Sequence, residues 1–136
     1  GNLGTFLRTA WATGVGGVVI PPGTVDPTNP KVVRAGMGAH FHVPIRTLKW
    51  DDIVEQYTDS LAWVADAGGA MHYTDVNWIG GVVLIVGGEA AGASDQARGW
   101  ADAVRIPMKD GVESLNAAVA GSVLLFEAFR QRQSVI

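Results

Sequence analysis

The chain has 136 residues, 48% of them hydrophobic, enough for one domain with a real core. It has no cysteine, which excludes disulfides, thiolate metal sites and a Cys nucleophile. The formal net charge of -3 is not the basic surplus of a free-standing nucleic-acid binder, so any RNA contact would need a grip from elsewhere.

In chain order, Asn2 to Thr13 is expected to be helical, with Leu3, Phe6, Leu7 and Ala10 at helical spacing, Asn2 as N-cap and Gly14 as the stop. Gly17 to Ile20 reads as a short buried strand, and Pro21-Pro22-Gly23 as a turn. A second helix starts at Thr28-Asn29-Pro30, with Pro30 in first position, and ends near Gly36 or Gly38. His40 to Ile45 alternates weakly and is expected to be a strand. Asp51 or Asp52 caps a longer helix that runs to Gly68-Gly69. Met71 to Tyr73 reads as a strand edge, and Val82 to Val86 is the clearest strand. Ser94 caps a short helix, Val104 to Ile106 is a last strand closed by Pro107, and Glu113 to Arg132 is a long final helix. Strands alternating with helices predict an α/β fold with a mostly parallel sheet, one domain over residues 1–136. No apolar run reaches the roughly 18 residues of a membrane span. The absence of cysteine fits a reducing interior, the cytoplasm or an organelle matrix, and the opening residues, which start at Gly1 without a Met, do not read as a signal peptide.

Ligands in parallel α/β sheets sit at the carboxyl ends of the strands. Two segments qualify, Gly87 to Ser94 and Ile106 to Asn116. Both offer backbone N–H and C=O groups, and glycines allow close approach; the plain alternative is two ordinary strand-to-helix connections. Glu89 is an acid in a glycine-rich loop, either solvated or an orienting group beside a ligand. Ser114 is read as an N-cap. Arg8, on a helix face with Gly4 and Ala12, reads alone as a surface cation. His40 and His42 lack a third partner at metal-ligand spacing, so no metal is expected. Gly14-Val-Gly-Gly17 precedes a strand, the wrong context for a dinucleotide fingerprint, which disfavours a nicotinamide-type Rossmann enzyme.

Three segments together resemble the SpoU group of the SPOUT methyltransferases. They are Gly1-Asn-Leu-Gly-Thr-Phe-Leu-Arg-Thr-Ala10, Leu84-Ile-Val-Gly-Gly-Glu-Ala-Ala-Gly-Ala-Ser94 and Ile106-Pro-Met-Lys-Asp-Gly-Val-Glu-Ser-Leu-Asn-Ala-Ala-Val-Ala120. Between them, Asn29 to Ala39 is similar to the family's connecting helix. The resemblance implies an α/β domain with a C-terminal trefoil knot, a homodimer through the knot region and last helix, and S-adenosylmethionine as cofactor. It implies methyl transfer to a ribose 2'-hydroxyl of rRNA or tRNA. Catalytic and substrate positions match Arg8, Asn2, Glu89, Ser114 and Asn116. Cofactor positions match Gly87, Gly88, Ile106, Met108, Ser114 and Leu115. An inactive knot domain that only binds RNA or dimerises is the alternative from another class. The chain opens after the strand and acidic-proline turn that usually precede the first motif, and without the separate RNA-binding domain many members carry. That missing part would reconcile an RNA substrate with a net charge of -3.

Overall fold

The structure, a computed structural model, describes residues 2–88 and 93–135. The chain divides into two compact units, Gly1–Gln56 and Tyr57–Ile136.

The first unit opens with helix α1 (Asn2–Ala12), whose inner face is Gly4, Leu7 and Ala10. Asn2 is already in the helix instead of capping it. Gly14 stops it as expected, with left-handed backbone at φ +70° while Val15 N–H bonds back to Ala10 C=O at 3.0 Å. Strands β1 (Val18–Ile20) and β2 (Ile45–Thr47) pair in parallel, Val18 opposite Ile45. Helix α2 (Pro30–Gly36) runs between them in sequence. Asn29 caps it by accepting from Lys31 N–H at 2.9 Å, and Met37 ends it at φ +51°. Leu7, Val32 and Ala39 are buried together, with Leu3, Val18 and Ile45 packed on them.

The two helices meet at Gly4. A Cβ there would stand 2.5 Å from Val32 O and 2.6 Å from the Ala35 Cβ, so no side chain fits between the backbones. Gly4 and Arg8 therefore do not share a surface face: Gly4 is buried and Arg8 exposed.

The strand expected over His40 to Ile45 is not there. Left-handed Met37 and Gly38 (φ +92°) turn the chain into a one-turn 3-10 helix, Ala39–Phe41, and extension begins only after Pro44. His-Phe-His mimics strand alternation, but its two imidazoles have separate local partners. His40 Nε2 bonds Pro27 O at 2.7 Å, and the His42 ring stacks on Trp11. The unit closes with α3 (Trp50–Gln56), which carries Asp51 and Asp52 in its first turn, where the helix dipole favours acids.

The second unit holds a four-stranded sheet of β3 (Leu61–Ala65), β4 (Met71–His72), β5 (Val82–Ile85) and β6 (Asp102–Arg105). Its order is β4-β6-β3-β5, and every pairing is parallel. Strand β3 corrects the long helix expected from Asp51 to Gly69. Leu61-Ala-Trp-Val-Ala65 is a continuous apolar run, which periodicity cannot tell from a buried helix. In the fold it pairs on both edges, and that pairing overrides the helix-favouring Leu and Ala.

Helix α4 (Asp95–Trp100) is capped by Ser94 as expected. Helix α5 (Ala117–Gln133) starts four residues later than expected. Its cap is Asn116, whose Oδ1 accepts from Ala118 and Val119 N–H at 2.9 and 3.2 Å, so Ser114 is not the cap. The core is Val76, Trp78, Val104 and Leu124, with Trp63, Leu84, Ile106 and Ala128 among those packed against it.

Helix α5 is fastened to residues 73–80 by polar contacts. Glu127 is buried, and its carboxylate accepts from Arg130 Nε at 2.6 Å and from Gln131 Nε2 at 2.9 Å. Gln131 also bonds Val76 O and Trp78 N–H, each at 2.9 Å, and Arg132 donates to Trp78 O and Gly80 O. The Arg130 hydrogen bond holds the Glu127 carboxyl below its ordinary range.

Gly4→Ala is expected to lower stability by about 1–3 kcal/mol through overpacking; a melting temperature equal to wild type would contradict the close approach. Because the folded Glu127 is the stronger acid, its contribution is complete above the unfolded pKa of roughly 4.3 and disappears as pH falls through the lower folded value. Glu127→Gln is therefore expected to cost about 1–2 kcal/mol at pH 7 and less at pH 3. Equal costs at both pH values, measured by urea unfolding, would refute the assignment.

Candidate functional site

The parallel register brings three strand ends to one edge of the second unit. Val64 lies opposite Ile85 and Ala65 opposite Val104, and Asp66 N–H extends the β3–β6 pairing to Val104 O at 2.9 Å. Three connections leave from this edge: Val86-Gly87-Gly88 after β5, Asp66 to Gly69 after β3, and residues 106–116 after β6. This is where an open parallel sheet receives a small ligand.

Seven of the residues singled out in the sequence belong to the first and third of these connections. Gly87 is half-buried. Gly88 is exposed, with nothing among the described residues within 4 Å of where a Cβ would stand. Ile106 and Met108 are half-buried, and Ile106 also packs on the core. Ser114 and Leu115 are exposed, as is Asn116, the α5 cap. Residues 106–116 hold one internal backbone hydrogen bond among the described residues, Val112 N–H to Lys109 O at 3.3 Å, and Gly111 sits at φ +94°. Backbone donors and acceptors beside half-buried Ile106 and Met108 suit a ligand with an apolar ring and polar substituents. Glu89 lies outside the described residues. Asn2 and Arg8 belong to the first unit, Asn2 half-buried at the start of α1 and Arg8 exposed one and a half turns on.

Sequence reasoning missed the middle connection because it read that stretch as helix. Asp66 follows the central strand, flanked in register by the ends of β5 and β6. Its Oδ1 accepts from Gly68 N–H at 2.9 Å, and its Oδ2 accepts from Arg98 on α4. The Arg98 hydrogen bond, then Gly68 N–H, lowers the Asp66 pKa. Gly69 packs its backbone on β6, where a Cβ would meet Ala103 and Val104 backbone at 3.0 Å. Arg105 then ties down Gly69 O and Ala70 O at 3.2 and 2.9 Å. The available signal was Asp-Ala-Gly-Gly after an apolar run, a strand-to-turn signature.

Among the described residues no three His, Asp or Glu side chains cluster as a metal would need, and no helix is long and apolar enough to cross a membrane.

An open parallel α/β sheet with glycine-bearing loops at its strand ends belongs to a class of folds that receive small ligands at that edge. The SpoU rRNA methylase family model matches residues 1–126, and the chain belongs to that family. It is 38% identical over 138 residues to a Staphylococcus aureus protein named for the TrmH family of tRNA/rRNA methyltransferases, covering 98% of this chain and 56% of that protein. Mouse mitochondrial rRNA methyltransferase 3 is 32% identical, with 96% of this chain and 44% of the relative covered. Among solved structures, the SpoU methyltransferase AviRb from Streptomyces viridochromogenes, in complex with AdoMet, superposes with a TM-score of 0.92 at 30% identity. That match covers 98% of this chain and 56% of AviRb. An RNA 2'-O ribose methyltransferase superposes with a TM-score of 0.85 at 30% identity, over 97% of this chain and 52% of the other. The chain thus spans about half the length of these relatives.

If the strand-end loops hold a small ligand, a side chain at Gly87 will crowd it. Gly87→Val is expected to weaken S-adenosylmethionine binding at least tenfold by calorimetry, a loss of about 1.4 kcal/mol. Gly88→Ala, which meets no atom among the described residues, is expected to fold normally. Unchanged affinity in folded Gly87→Val would remove the ligand from this edge.

Proposed function

We propose that residues 1–136 form one catalytic domain of an S-adenosylmethionine-dependent RNA methyltransferase acting on a ribose 2'-hydroxyl of rRNA or tRNA. The observation that carries this is the match of 98% of the chain to AdoMet-bound AviRb at a TM-score of 0.92, with open loops at the strand ends here. When bound, the cofactor supplies a methyl group on a positively charged sulfur. Gly87, Gly88, Ile106, Met108, Ser114 and Leu115 are assigned to holding it, chiefly through backbone groups.

The remaining work is alignment of the hydroxyl and removal of its proton. Asn2, Glu89 and Ser114 are assigned to orienting the ribose by hydrogen bonds. Asn116 joins them through its Nδ2 donor, because Oδ1 serves the α5 cap. Arg8 is a poor base, since a guanidinium keeps its proton at any working pH. Its planar fork suits a phosphate, and phosphate clamping is the role assigned to it.

A trefoil knot around the 87–116 region and a homodimer through α5 complete the proposal. The dimer draws support from α5 itself. Ala118, Gly121, Leu124 and Glu127 face inward, while Val119 and Phe126 stay about half exposed and Val123 half-buried on another side. A reducing compartment, cytoplasm or organelle matrix, suits a chain without cysteine.

The test is transfer of label from methyl-tritiated S-adenosylmethionine to rRNA or tRNA, followed by alkaline hydrolysis. A 2'-O-methyl group removes the nucleophile that cleaves the neighbouring phosphodiester, so label is expected in alkali-resistant dinucleotides. Label released in mononucleotides would mean a base is methylated, and absence of transfer from a cofactor-bound protein would mean an inactive domain. In the same assay Arg8→Ala is expected to lower turnover about 100-fold or more with cofactor affinity nearly unchanged. Arg8→Lys should recover part of the activity and chiefly weaken RNA binding. Near-normal turnover of Arg8→Ala would make Arg8 an ordinary surface cation.

A further inference from the structure

The charge of the chain is unevenly spread. Residues 1–50 contain five Lys and Arg (Arg8, Lys31, Arg34, Arg46 and Lys49) against one acid, Asp26, a net of +4. Residues 51–136 contain the other five against twelve acids, a net of -7. The basic stretch ends at α3, whose Asp51, Asp52 and Glu55 bring the unit Gly1–Gln56 to a net of +1, so the positive charge is concentrated in α1, α2 and residues 37–49.

That segment also exposes aromatic rings. The Trp11 indole, 41% exposed, lies parallel to the exposed His42 imidazole, with ring centroids 4.1 Å apart and planes 4° apart. Phe41, next to His42, is 89% exposed, and Met37 is 62% exposed. The patch is continuous, because a Cβ on Gly38 would stand 3.9 Å from the Trp11 ring. Arg8 is exposed one turn before Trp11 on α1, and Arg34 is exposed one turn before Met37. No acidic residue occurs in α1, in α2 or in residues 37–49. The outer faces of a stacked ring pair are where a third flat group can continue the stack.

We propose that Trp11 and His42, with Phe41 beside them, form a stacking platform for an unpaired base of the RNA, with Arg8 and Arg34 taking the adjoining phosphates. The proposal rests on the RNA-methyltransferase reading and adds the place where the RNA is gripped. Stacking on an aromatic side chain needs no particular base and contributes roughly 5- to 150-fold in affinity per base. A duplex keeps its base faces covered, so the platform selects single-stranded RNA. A second copy of this chain is a poor occupant, because two basic surfaces would face each other across the dimer axis.

The test titrates the whole chain with a single-stranded RNA oligonucleotide and with the same sequence as a duplex, following tryptophan fluorescence and the anisotropy of a dye on the RNA. Single-stranded RNA is expected to bind more tightly than duplex and to quench fluorescence. Trp11→Leu should lose most of the quenching and at least fivefold in affinity. Trp11→Phe should keep most of the affinity, and His42→Ala should lose a similar amount to Trp11→Leu. Cofactor affinity and the light-scattering mass should not change in any variant. Full RNA affinity in folded Trp11→Leu and His42→Ala overturns the platform alone. Loss of RNA binding together with a change in mass also overturns it and assigns the patch to a second copy. Wild-type protein that binds cofactor but no RNA overturns the RNA reading and the platform with it.

Discussion

The site depends on one arrangement, the two-sided parallel pairing of β3. Leu61 to Val64 match Val82 to Ile85 on one edge, and Trp63 to Ala65 match Asp102 to Val104 on the other. This registration delivers Gly87 and Ile106 to the same end of the sheet, one strand apart. Without β3 between them, the two segments carrying the expected cofactor residues would share no geometry. Asp66 then continues the strand, and its ion pair with Arg98 ties the central strand end to the helix that follows the 87–94 segment. Position at this edge is a consequence of backbone hydrogen bonding, which suits a site built largely from main-chain groups.

Glycine serves this chain in two opposite ways. At Gly4 and Gly69 it permits contact, since a Cβ would strike a neighbouring backbone at 2.5 and 3.0 Å. At Gly88 it leaves space, with no atom of the described residues within 4 Å. The first kind fixes packing and the second leaves the backbone uncovered. The polar fastening of α5 through Glu127 and Gln131 ties the last helix to residues 76–78 ahead of β5.

Much of this was legible in the residues. Pro30 behind Asn29, Gly14 after α1, Ser94 before α4 and the β-branched run at Val82 each state their structure locally. Failures came where tertiary pairing outweighs local preference. Leu61 to Ala65 is helix-compatible until its two neighbours are known, and His40 to His42 alternates for reasons of ring contact. Asn116 displaced Ser114 as cap because Gly111 and the turn before it delay the helix. Of the site, the two glycine-bearing connections could be read directly. Asp66 offered only the strand-to-turn signature of Asp-Ala-Gly-Gly, because its position follows from lying between two strands that are distant in sequence. The net charge of -3 misled in a similar way, averaging residues 1–50, where Asp26 is the one acid, with an acidic remainder.

The most direct measurement is amide hydrogen exchange with and without S-adenosylmethionine. The account predicts slowed exchange in the three strand-end connections together: Asp66 to Gly69, Gly87-Gly88, and Ile106 to Leu115. Protection confined to the Gly14 to Gly17 segment, or absent from the middle connection while the cofactor is bound, would contradict it.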